Sequence, residues 1–468
     1  MSLDLFRLSR ESTSRVLQTA MQRGGDFAEI YCEHARYNSL VMEEGILKTA
    51  VSSIEKGVGV RVVKGEKTGY AYTEQLDDKN FLKIAATAAA IADDKGSEEA
   101  FAVDPKTLKN YYQVADPSID VDLDQKITWI NKANDFARKH SDLVSKVTIS
   151  YADSRRALVI ADSRGRLVED VQPMLRFSIS VICEKDGERQ IGRAGDGGRV
   201  GFSFVTGEKV KHWAEKAVNE ALTLLNAKQA PAGMLPVILA PGDSGILLHE
   251  AIGHPLEADF NRKGTSAYTG RLGEMVADAQ CTIIDDGTIE NDRGAINIDD
   301  ELNDSQRTVL IEEGRLKSYM MDEISARYFE QESTGNGRRE SYKYQPLPRM
   351  RTTYMLPGKY SADEIVGSTQ HGIYCKTFKG GQVDISNGNF TFVPSEAYLI
   401  EDGKITHPIK NFLLVGNGPD ALSKVTMVGN DFEMGTGIWT CGKGQSVPVG
   451  VGLPTIKISQ MTVGGQQA

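Results

Sequence analysis

A helix, a set of short alternating strands and a second helix occur in that order twice in the first half of this 468-residue chain. The first pass places a helix over residues 5–24, closed by Gly24-Gly25, and strands over 28–33, 39–43, 58–63 and 68–73. An alanine-rich helix over 77–93 follows. The second pass places a helix over 122–140, strands over 146–152, 157–162, 167–171 and 175–184, and a helix over 209–227. Alternating strands carry one apolar face, which a packed layer of helices must cover. Two related α+β units are therefore expected, over residues 1–110 and 111–229. The polar connector at 94–117, with Pro105 and Pro117, separates them, and its Glu98-Glu99 run reads as solvated surface.

The texture changes after the linker Gln229-Ala-Pro-Ala-Gly233. A buried strand over 235–240 is stopped by Pro241-Gly242, one helix follows, and beyond Phe260 short strands alternate with Gly, Asn and Asp turns. Strands over 308–312, 395–401 (turned by Asp402-Gly403) and 455–458 fit a β-rich sandwich or barrel-like domain over 230–468 that carries the site helix. The expected class is α+β.

Composition narrows the function. A net charge of −10 and a pI of about 5.4, with no clustered Lys/Arg stripe, argue against nucleic-acid binding as the main activity. The five cysteines (Cys32, Cys183, Cys281, Cys375 and Cys441) are odd in number and far apart, which points to a reducing compartment rather than a disulfide framework. The first twenty residues lack the apolar core of a signal peptide, and no apolar run is long enough to span a bilayer. A cytoplasmic protein with no membrane association is expected.

The chemistry concentrates in Asp243-Ser-Gly-Ile-Leu-Leu-His249-Glu250-Ala-Ile-Gly-His254-Pro255, which holds two of the seven histidines. Two His on one helix face with a Glu beside the first is the logic of zinc peptidases, in which the His residues hold the metal and the Glu serves as base. Here the spacing is one residue longer. On a regular helix, positions i and i+4 lie about 40° apart, but i and i+5 about 140° apart. His249 and His254 can share a metal only if the helix deforms. Gly253 loosens the backbone, and Pro255 disfavours helical geometry at His254. Two outcomes meet the constraint: the helix ends at Gly253 and His254 swings back, or a π-type bulge absorbs the extra residue. Asp243 or Ser244 is the expected helix cap. A third ligand is open among Glu257, Asp259 and a distant cysteine, of which Cys441 stands out for its small-residue loop; composition does not choose among the three.

Other segments weigh less. Gly437-Ile-Trp-Thr-Cys-Gly442-Lys443 matches the first part of a phosphate-binding loop but lacks the Ser or Thr that follows. Arg338 and Arg339, with Arg349, could hold a peptide carboxylate; an exposed loop or intersubunit salt bridges is the more economical reading. Residues 294–304 read as solvated surface or loop.

Taken together, His249-Glu-Ala-Ile-Gly-His254, Ser333-Thr-Gly-Asn-Gly-Arg-Arg-Glu340, Pro346-Leu-Pro-Arg-Met350 and Cys441-Gly-Lys-Gly-Gln-Ser-Val-Pro-Val-Gly450 closely resemble the TldD branch of the TldD/PmbA metallopeptidases, once described as modulators of DNA gyrase. The resemblance runs through most of the chain. It implies Zn2+ held by His249, His254 and Cys441, with Glu250 as general base. It further implies a peptide or unfolded protein as substrate, and a homodimer or a heterodimer with a PmbA-type paralogue. The competing expectation is a non-catalytic peptide-binding or regulatory protein with a structural zinc, and Glu250 is the feature that separates the two.

Overall fold

In the computed structural model the described residues are 2–92 and 102–465; the Glu98-Glu99 run lies outside them. Helix α1 (Arg10–Met21) begins later than expected. Ser9 and Ser12 form a reciprocal capping box that fixes its start, and a short 3-10 turn, Ser2–Phe6, precedes it. The short strands expected in each pass are joined into long ones. β1 (Phe27–Glu43) merges 28–33 with 39–43, because the intervening His-Ala-Arg-Tyr-Asn contains no breaker and keeps the alternation. β1 turns at Glu44-Gly45, both at positive φ, into β2 (Ile46–Lys64), which pairs with β3 (Lys67–Thr73).

The two passes do not stay apart. After the short β4 (Asp104–Pro105), the strand β5 (Val144–Asp162) lies antiparallel to β1, from Glu29 opposite Asp162 to Glu43 opposite Thr148. With β6 (Arg166–Lys185) and β7 (Glu188–Gly198) they form one seven-stranded sheet. α1 and α2 (Asp78–Ala89) cover the first half, with Leu17 and Phe81 packed on Val58, Val60 and Val62. α3 (Leu123–His140) and α4 (Gly207–Leu225) cover the second, with Trp213 stacked on Phe177. The apolar stripe of each helix fills the face that strand alternation leaves apolar.

After β8 (Lys228–Gln229), β9 (Gly233–Leu239) enters a different sheet. It pairs with Ile456–Gly465 on one side and His371–Asp384 on the other. Phe412–Asn417 and Asn389–Glu401 complete the circuit, and Asn389–Glu401 pairs back with His371–Asp384. The sheet is thus closed and barrel-like. Leu247, Leu248, Ala251 and Ile252 of the site segment share its core with Phe390, Phe392, Leu414 and Ile456. The α+β expectation holds. Among the described residues no helix is long and apolar enough to cross a membrane.

Residues 294–304 are loop, as one of the two readings had it, but 294–302 are buried rather than solvated, and only Asn303 and Asp304 reach the surface. Ile298, Asp299, Glu301 and Leu302 are buried beneath the N-terminal sheet, whose strands supply cations that no local reading could foresee. Arg61 of β2 donates to Glu29 at 2.9 Å and to Glu301 at 2.5 Å, and Arg166 donates to the Leu302 carbonyl at 2.7 Å. Arg156 donates to Glu33 at 2.9 Å, and Glu33 accepts the Tyr342 N–H at 2.8 Å. These contacts seat the N-terminal sheet on the C-terminal domain.

Candidate active site

The site segment leaves β9 through Gly242, which takes a positive φ of 81°. Asp243 does not cap a helix. Its carboxylate accepts the Thr436 N–H at 2.8 Å and the Trp439 indole N–H at 2.7 Å, tying this segment to the loop that leads to Cys441. A 3-10 turn and one α-turn, Ile246–Leu248, bring the chain to His249.

Between His249 and Gly253 the backbone is a π-helix, and the His254 N–H donates to the His249 carbonyl five residues back. The i→i+5 bond sets residues five apart on successive turns of one face, which resolves the spacing problem. Of the two outcomes left open by the sequence, the π-turn is the one adopted. His254 keeps helical dihedrals (φ −56°, ψ −46°) in spite of Pro255, so the residue before proline does not break out. Gly253 is helical too, and its role is close packing: a Cβ there would lie 1.9 Å from Met350 Sδ.

Cys441 arrives from the far end of the chain on a small hairpin, Thr440–Gly442 paired with Ser446–Pro448. No helix follows the Gly442-Lys443 pair, so the phosphate-loop pattern has no structural counterpart. Buried arginines hold the hairpin. Arg349 donates to the carbonyls of Cys441 (2.8 Å) and Gln445 (3.0 Å), Arg293 to that of Trp439 (2.7 Å), and Arg338 to that of Pro448 (2.8 Å).

Three donor atoms converge. One each from His249, His254 and Cys441 lie within 4.8 Å of one another, and all three residues are buried. Cys441 Sγ is 3.5 Å from His254 Nε2, and the imidazole rings sit edge to face with centroids 5.0 Å apart. His249 Nδ1 is buried without a hydrogen-bond partner. Burial alone would raise the Cys441 thiol, but His249 and His254 override it and hold it at about 5, so the sulfur is a thiolate at neutral pH. Such a set could hold a metal ion.

Glu257 and Asp259 stand behind the donors rather than among them. Glu257 Oε2 is 3.2 Å from His254 Nδ1, the nitrogen facing away from the sulfur, and 3.1 Å from Lys443 Nζ. Asp259 accepts from Lys443 at 2.6 Å. The sequence points to Lys443 only as part of the phosphate-loop pattern; its position two residues after Cys441 is the one local hint of this contact with Glu257 and Asp259. Glu250 lines the open side of the donors in a cavity of about 500 Å³, with Trp439 and Lys379 among its walls. Burial raises its carboxyl pKa, and the two histidines only partly offset that.

Arg338 and Arg339 are not brought to this cavity. Both are buried: Arg338 also donates to the Met350 carbonyl at 2.5 Å, and Arg339 pairs with Glu29 and donates to the Asp300 carbonyl at 3.0 Å. The exposed-loop reading of this stretch is therefore corrected. Its acidic partners come from β1 and from 299–301, far away in sequence.

Sequence models of the PmbA/TldA metallopeptidase domains match residues 28–92 (domain 1), 116–225 (central domain) and 232–465 (C-terminal domain). The chain is 44% identical to a metalloprotease TldD homolog of Haemophilus influenzae, over 98% of this chain and 97% of that one. It is 42% identical to a metalloprotease TldD homolog of Buchnera aphidicola, over 99% and 98%. A more distant relative, 28% identical over 96% and 99%, is a zinc metalloprotease TldD homolog of Saccharolobus solfataricus. The fold matches the crystal structure of TldE from Thermococcus kodakarensis with a TM-score of 0.76 at 19% identity, covering 97% of this chain and all of that one. A Thermotoga maritima protein described as a modulator of a DNA gyrase matches with a TM-score of 0.80 at 22% identity, over 97% and 99%. With matches of this extent along the whole chain, the protein belongs to the PmbA/TldD metallopeptidase family.

Proposed function

We propose that this protein is a zinc-dependent peptidase acting on extended or unfolded peptides, with Glu250 as its general base. The observation that carries the reading is the convergence of His249, His254 and Cys441 beside a cavity that Glu250 lines. The donor chemistry fits zinc: two imidazoles and a thiolate make a three-ligand set open on one side, and His249 Nδ1 lacks any other partner. Zinc, when bound, would supply Lewis acidity that lowers the pKa of water and polarises a carbonyl.

The chain's own groups do the rest. Glu257 accepts from His254 Nδ1, which fixes the tautomer and leaves Nε2 free to ligate. Lys443 and Arg349 compensate the charge of Glu257. A Glu250 carboxylate oxygen takes a proton from water as the water oxygen bonds to the scissile carbonyl carbon, and returns it to the amine nitrogen as the C–N bond breaks; its raised pKa strengthens it as the base of the first transfer. The buried, enclosed donors strengthen both interactions by excluding bulk water.

Arg338 and Arg339 are assigned to holding the fold rather than the peptide, since every contact they make is internal. Assembly with a PmbA-type partner or with a second copy is part of this reading on the strength of the family resemblance; the likeness to TldE is one of fold. Five unpaired, buried cysteines favour a reducing, cytoplasmic setting.

The alternative, a peptide-binding protein with structural zinc, leaves no use for Glu250 in the cavity. Glu250→Gln is expected to retain zinc while peptide cleavage falls by roughly a hundredfold or more. Cys441→Ala is expected to lose both, as read by metal analysis of freshly purified protein. Cleavage by Glu250→Gln near the wild-type rate would sink the proposed mechanism.

A further inference from the structure

A second cavity, of about 550 Å³, lies beside the metal-donor cavity, between β5–β7 and the C-terminal domain. The two share Lys379, Trp439 and Thr440 as walls, so a peptide seated at Glu250 has a neighbouring space to run into. The N-terminal wall is cationic. Arg176 lies on β6 at an alternate position to Ser178 and Ser180, and Arg193 and Lys216 stand nearby.

Arg176 and Arg193 make no ion pair with a carboxylate among the described residues, whereas Lys216 stands close enough to Glu220 to favour its charged form. The two acids of the cavity are already engaged: Asp243 by Thr436 and Trp439, and Glu220 by the Arg193 backbone N–H at 2.6 Å. Arg176 Nε is buried without a hydrogen-bond partner, and so is Nη1 of Arg293, whose guanidinium is close enough to Arg176 to repel it. Placing a part-buried guanidinium beside like charges costs stability unless an anion completes it. The protein carries a net charge of −10, so the arrangement is a local exception rather than a general basic surface.

Resting on the peptidase reading above, we propose that Arg176 binds the C-terminal carboxylate of the peptide in this cavity. The carboxylate is the one anion every peptide carries whatever its sequence, and the guanidinium fork matches it in two hydrogen bonds. Arg193 and Lys216 add long-range attraction, and Ser178 and Ser180 offer hydroxyl donors. Specificity then comes from the chain end: bonds close to a free C-terminus are cleaved in preference to those in long or C-terminally blocked chains.

The test uses fluorescein-labelled short peptides, each made as the free acid and as the C-terminal amide. Binding is read by anisotropy on full-length Glu250→Gln protein, and cleavage on the wild type. The free acid is expected to bind at least about tenfold more tightly than the amide, the size of a hydrogen-bonded charge pair. Adding Arg176→Gln should erase the difference by weakening the acid alone, and Arg176→Lys should restore part of it. Equal affinities for acid and amide, or a preference that survives Arg176→Gln, overturn the proposal. The peptidase reading fails separately, if the wild type loaded with zinc cleaves neither peptide while the preference in binding remains.

Discussion

Gly253→Ala sets two effects of opposite sign against each other at the centre of the π-turn. Gly253 has ordinary helical dihedrals (φ −56°, ψ −65°), so alanine would gain about 1 kcal/mol of helix propensity. Against this, the new Cβ would lie 1.9 Å from Met350 Sδ and 3.0 Å from its Cε. Met350 is fully buried, and its sulfur is in mid-chain, so the thioether cannot simply swing away. Overpacking of this kind costs about 1–3 kcal/mol. The steric term wins by about 1 kcal/mol, and the displaced turn carries His254 with it. Urea unfolding of chelator-treated protein should show the lower stability, and competition with a chromophoric chelator should show zinc affinity reduced about tenfold or more. In a Met350→Ala background, which itself costs about 2–5 kcal/mol, the same substitution should become stabilising. A Gly253→Ala protein as stable as wild type and unchanged in zinc affinity would refute the packing argument.

Two further perturbations probe the supports of the site. Burial would raise the pKa of Glu257, but Lys443, His254 and Arg349 overrule it and hold the carboxyl at about 2, below its ordinary 4.5. Ionised Glu257 therefore contributes stability that is present above pH 4.5 and lost as pH falls toward 2. Circular dichroism of metal-free protein should show a steep acid limb in that window, flattened in Glu257→Gln. Arg339→Ala leaves Glu29 buried with one fewer cation and should cost about 3–5 kcal/mol by urea unfolding, with zinc content intact. Unchanged stability together with a raised KM would return Arg339 to the peptide.

How much the sequence disclosed depends on how far apart the interacting residues lie. Helices α2, α3 and α4 fall close to their expected places because apolar stripes, with side-chain caps at Asp77 and Thr206 for α2 and α4, act within a few residues. The strands expected in the two N-terminal passes fall inside observed ones but most are cut short, and β7 was not foreseen, since a strand is lengthened by its partner: residues 34–38 continue β1 because Ala157 and its predecessors pair with them. Residues 294–304, rich in acids, read as surface because the arginines that hold them stand far away in sequence, Arg61 of β2 pairing with Glu301 and Arg166 of β6 donating to the Glu301 and Leu302 carbonyls.

The same division runs through the site. By itself the sequence determined that His249 and His254, five apart, cannot share a metal on a regular helix, and that Glu250 stands between them. Tertiary structure alone decided how the conflict resolves. Packing of Gly253 against Met350 and of Leu247, Leu248 and Ile252 into the closed sheet holds a π-turn that isolated backbone preference would not select. It also brings Cys441, rather than Glu257 or Asp259, beside the donor atoms of the two histidines. Asp243, Arg349 and Arg293 bring the Cys441 hairpin back across nearly two hundred residues of chain, and Lys443 on that same hairpin turns Glu257 and Asp259 away from the donor cluster. Spacing along a chain fixes which atoms can face one way; only long-range packing fixes what they face.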